Sequence, residues 1–65
     1  MHTIAVYLAL VVYTPVPQGG HDVTVPQSWR GPTAEDYSAC QRQAFAIMMA
    51  GDAVAQCDLA WDAKH

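Results

Sequence analysis

The chain has 65 residues, 52% of them hydrophobic, with three basic and six acidic side chains and a net charge of −3. That is one folded domain, residues 1–65, with no room for a second and too apolar for a disordered chain. Arg30, Arg42 and Lys64 are scattered, which excludes the Lys/Arg cluster that direct nucleic-acid binding draws on, and six carboxylates are too few to mimic a phosphate lattice.

The opening run "TIAVYLALVVYT" is the most apolar of the chain. Ile4 to Tyr13 is about half the length a transmembrane helix needs, so no membrane span is expected. The basic leader and small-residue cleavage site of a secretion signal are not evident, and "YTPVPQGG" follows instead. Alternation decides for an extended chain. Ile4, Val6, Leu8, Leu10 and Val12 line one side, and Thr3, Ala5, Tyr7, Ala9, Val11 and Tyr13 the other. This predicts a central strand with an aliphatic core face and a mixed, aromatic outer face.

"TPVPQGGHD" carries two prolines and a Gly-Gly pair and predicts a wide hairpin loop. "HDVTVPQSW" predicts a second strand with Val23, Val25, Gln27 and Trp29 on one face. Pro26 cannot donate to a ladder, which puts this strand at a sheet edge.

The next segment predicts a helix over 34–50. Thr33 is its N-cap after Pro32, Glu35 and Asp36 complement the dipole in the first turn, and Gly51 is the expected left-handed residue past its end. At about 100° per residue, Tyr37, Cys40, Ala44, Ile47 and Met48 form the expected core stripe. Phe45 and Met49 stack one turn apart on its shoulder, beside Ser38 and Arg42, with Ala39, Ala46 and Ala50 behind. Two readings of the shoulder stay open. It extends the core of a very small domain, or it is a contact patch, since an aromatic and a Met beside an Arg have the composition of an interface centre.

"DAVAQCDLAWD" alternates as a third strand. Ala53, Ala55, Cys57, Leu59 and Trp61 face the core; Val54, Gln56, Asp58, Ala60 and Asp62 face water. The predicted fold is α+β with order β-β-α-β: a three-stranded antiparallel sheet, spatial order 2-1-3, with the helix on one face. Cys40 and Cys57 fall on facing surfaces of the helix and the third strand. They are either a disulfide contributing about 3 kcal/mol or two buried thiols.

No catalytic residue is nominated. His2, His21 and His65 stand at a leader, a loop and a tail, away from the cysteines, so neither a metal nor any other cofactor is expected. "QGGHD" lacks the Lys-Ser/Thr of a phosphate loop. Ser38 and Cys40 have no neighbouring base. Asp58 and Asp62 are four residues apart on one strand face, too far for a carboxylate dyad.

The chain resembles small, uncharacterised prophage proteins of enterobacteria with an apolar strand after M-x-T, a Cys near the helix start and another in a short final strand. Here these are "MHTIAVYLALVV", "YSACQRQA" and "AQCDLAW". Its plan of strand, turn, VTVP-type strand, helix, Gly and strand is also similar to the small T7-type phage inhibitors of host RNA polymerase. The resemblance implies a small non-enzymatic protein that binds a bacterial host protein and modulates it in the host cytoplasm. RNA polymerase, a nuclease and a CRISPR effector are the candidate targets. Contact would come through Phe45, Met49 and Arg42, or through the outer sheet face with Tyr7, Val11 and Tyr13. Asp58 and Asp62 would steer it toward a basic groove. The alternative is a disulfide-stapled structural or envelope homodimer, for which a periplasmic location is expected.

Overall fold

A computed structural model describes residues 4–63 of the chain, with side chains described for 5–61. Strand β1 (Ile4–Pro15) leads into β2 (His21–Arg30), helix α1 (Ala34–Ala50) and β3 (Val54–Ala63). The sheet order is β2-β1-β3, antiparallel throughout, so the predicted α+β architecture and strand order are those of the structure. The most apolar strand takes the centre because only there are both ladders and both faces partly removed from water.

Register explains the two faces. Leu8 pairs with Trp29 and Leu59, Leu10 with Gln27 and Cys57, and Val12 with Thr24 and Ala55. Directly paired residues share a face, and this is the face that α1 covers. Leu8, Leu10, Val12, Cys40, Ala44 and Ala55 form its buried core, with Trp29, Tyr37, Ile47, Ala53 and Cys57 packed around them.

Between Leu10 and Val12 the β1–β2 register shifts, so that Val25 and Pro26 together oppose Val11. An extra residue in one strand is a bulge, a position that tolerates the missing N–H of proline. The bulge corrects the expected common face of β2. Gln27 and Trp29 lie on the helix side with Leu10 and Leu8, whereas Val23, paired with Tyr13, lies on the outer face.

Thr33 caps α1 as predicted. Its Oγ1 accepts from Asp36 N at 3.3 Å, and Asp36 Oδ2 accepts from Thr33 N at 2.9 Å, closing a capping box. Thr33→Ala is expected to cost about 1 kcal/mol, read as a lower urea midpoint with an unchanged slope. Gly51 corrects its expectation: its φ is −177°, an extended value that any residue adopts. The left-handed glycines are Gly19 and Gly20 in the hairpin loop and Gly31, φ +60°, which turns the chain out of β2 while its N–H donates to Val6 O at 2.8 Å.

The helix is rotated from its predicted setting by roughly 40°. Met48, expected in the core, is 42% exposed, while Gln43 and Ala39 are half-buried. The Cys40–Cys57 disulfide, with Cα atoms 6.2 Å apart, holds the helix in this setting. It tethers α1 to an edge strand, so the helix packs over β3 and β1 and not across β2. With α1 over β3 and β1, its half-buried Gln43 flank lies over the sheet and its exposed Met48 flank toward the free edge of β3.

Candidate functional site

Only small side chains, Cys40 and Ala44, are fully buried on α1, and with Ala55 beneath them the helix sits low on the sheet. The result is a flat plate of 47 × 27 × 11 Å. Its radius of gyration is 13.8 Å, against about 11 Å for a compact chain of this length. Its accessible surface is 4868 Å², against about 4,100 Å² for a folded monomer of its mass. Many large hydrophobic side chains share that surface. Val6, Val23, Val25, Phe45, Met48, Met49, Val54, Leu59 and Trp61 are all exposed.

Most of these side chains fall on three surfaces. The first is the helix shoulder. Phe45 is 61% and Met49 71% exposed, which resolves the two sequence readings: the pair is surface and adds nothing to the core. Phe45 lines an open groove with Ser38, Gln41 and Arg42, so the predicted Phe45–Arg42 neighbourhood exists. Met48 joins it on the side toward the β3 edge. Phe45→Asp with Met49→Lys should therefore change unfolding free energy by no more than about 0.5 kcal/mol and leave the circular dichroism spectrum intact. Unfolding by this pair would place them in the core after all.

The second surface is the outer face of the sheet. Tyr7 and Tyr13 are half-buried there, and Val11 between them is only 9% exposed, screened by the bulge at Val25–Pro26 and by Gln56 opposite. Gln56 Nε2 donates to Tyr13 Oη at 3.3 Å and to Asp58 Oδ2 at 2.9 Å. This pair of bonds links the phenol and the carboxylate into one polar row. Val23 and Val54 flank Tyr13 on either side by register. Asp58 belongs to this face, as expected. The Asp62 side chain lies outside the described ones, although its backbone pairs with Ala5 on the same face.

The two surfaces offered as alternatives by the sequence lie on opposite sides of the plate. Phe45, Met49 and Arg42 project from the helix side, and Tyr7, Tyr13 and Asp58 from the opposite side of the plate. One flat partner cannot meet both. Val6, Leu59 and Trp61 form the third, an exposed apolar strip that the sequence reading assigned to the core. Seventeen helical residues span about 26 Å, whereas the twelve of β1 span about 40 Å. One end of the helix-side face must stay uncovered.

Among the described residues no group of His, Cys, Asp and Glu is gathered to hold a metal ion. His2 and His65 lie outside the described residues. No helix of the described chain is long and apolar enough to cross a membrane. Cys40 is fully buried and bonded to Cys57, which leaves neither as a nucleophile. No family model, curated protein or solved structure matches this chain, so its surfaces must speak for its function.

Proposed function

We propose that this protein is a non-enzymatic interaction domain, stapled by its disulfide, that works by binding another protein chain through apolar surface. The observation that carries the reading is the excess of exposed surface. It amounts to roughly 800 Å², about what one partner buries in a standard interface, and nine large hydrophobic side chains are exposed on it. The partner for the outer sheet face is a bacterial host protein with a basic, apolar-rimmed groove, which the protein occupies and so modulates. Asp58 beside Tyr13, with Val23 and Val54 around them, offers the charge and the anchor that such a groove takes.

The disulfide favours a second reading as an envelope or structural homodimer, because disulfides persist in oxidising compartments. Affinity capture from bacterial lysate, with mass spectrometry of the retained proteins, separates the two. Wild type should hold one stoichiometric host protein, and Val23→Lys with Val54→Lys, both solvent-exposed positions, should lose it while keeping the fold. Retention of nothing but a second copy of the chain would favour the homodimer.

A further inference from the structure

We infer that the free edge of β3 is a self-association site, and that a second copy of this chain pairs with it to form a continuous six-stranded sheet. The inference rests on the reading of the protein as an interaction domain and assigns one of its surfaces to one occupant. The two sheet edges differ. β2 carries Pro26 and a bulge, the devices by which a strand refuses a new neighbour. β3 is ten residues, Val54–Ala63, with no proline, lysine or arginine, and pairs with β1 alone in regular register. An edge of that length and regularity is a template for another strand.

The helix shoulder makes the occupant a second copy. Because α1 lies over β3 and β1, a two-fold axis perpendicular to the sheet at the β3 edge would set the two helices side by side. With strands about 4.8 Å apart, the helix axes come to about 10 Å, the distance at which helices pack. Met48, on the flank away from half-buried Gln43, and Phe45, next to it round the helix, are 42% and 61% exposed in the isolated chain. One symmetric operation thus satisfies the unpaired backbone of β3 and covers the apolar shoulder above it, an isologous interface.

Charge selects the register. Centring the pair on Asp58 would oppose like charges. Centring it on Cys57 sets each Gln56 opposite Asp58 of the second copy, which extends the Gln56–Asp58 hydrogen bond already present within the strand. The outer faces of both copies stay free, side by side on one surface, so self-association doubles the sheet face proposed for the other partner.

Sedimentation equilibrium on the oxidised protein, combined with amide hydrogen exchange by NMR, tests this. A mass twice the 7.1 kDa of the chain is expected, with every β3 amide from 54 to 60 protected. In a lone chain, alternate amides of this edge strand would exchange freely. Phe45→Asp with Met48→Lys should weaken association at least 100-fold and release those amides without changing the circular dichroism spectrum. A monomer at millimolar concentration, a dimer whose alternate β3 amides exchange fast, or a double variant that remains dimeric would each overturn the inference. A monomer that still captures a host protein through Val23 and Val54 would refute self-association alone. A dimer that captures none would confirm it and refute the host-protein reading.

Discussion

Reducing the Cys40–Cys57 disulfide should lower the unfolding free energy by about 3 kcal/mol and the melting midpoint by roughly 15–20 °C. The two cysteines are 17 residues apart, and closing a loop of that size removes about this much entropy from the unfolded chain. The helix contributes only small buried side chains, Cys40 and Ala44, to a core whose large members, Leu8, Leu10 and Val12, belong to the sheet, so α1 itself removes little apolar area from water. Without the covalent tether, a 17-residue helix held by so little burial is marginal. The measurement is a pair of thermal melts by circular dichroism, with and without reductant, repeated with Cys40→Ala/Cys57→Ala to separate the bond from the reagent. A shift below about 3 °C would show that the helix is anchored by packing alone. A shift of the predicted size makes the fold depend on an oxidised state, and folding would then respond to the redox poise of its compartment.

The same bond explains what the sequence did and did not reveal. Strict alternation across Ile4–Val12 and Ala53–Trp61 showed both strands and their faces, because the β period of two admits no intermediate setting. The Thr33 cap was legible because its chemistry is local: Ser/Thr/Asp/Asn oxygens meet the free N–H groups of the first turn wherever a helix begins. The rotation of α1 was not legible. Alanine and cysteine at positions 39, 40, 44 and 46 leave the helix with a weak apolar gradient, so a long-range tether, and not its own pattern, sets which side faces the sheet. Met48 is exposed for that reason. The face of Val23 was misread for another: a bulge inserts one residue and inverts everything beyond it, and Pro26 marked an edge without marking the shift. Phe45 and Met49 could be read two ways until the helix position was known, and their exposure now makes them the side chains most in need of a partner.

Leu10→Ala should cost about 2–5 kcal/mol, a large part of the roughly 3–10 kcal/mol that a domain of 65 residues has in total. Leu10 is 1% exposed, pairs with Cys57 on one side and Gln27 on the other, and belongs to the core cluster with Cys40. It therefore sits where sheet, helix and disulfide meet. Truncation there leaves a cavity that the neighbours cannot fill, because the disulfide holds the helix at a fixed height above the sheet. Val6, two positions beyond Leu8 on the same face but 39% exposed, is the control: Val6→Ala should cost less than about 1 kcal/mol, since much of it stays in water and no closed cavity is left. Urea unfolding of both variants in the oxidised state gives the two costs. In reductant, Leu10→Ala should be unfolded at 25 °C because the cavity and the lost staple draw on the same small stability, whereas Val6→Ala should still fold. Equal costs at the two positions would mean that the helix does not cover Leu10, and the core would have to lie elsewhere on the plate.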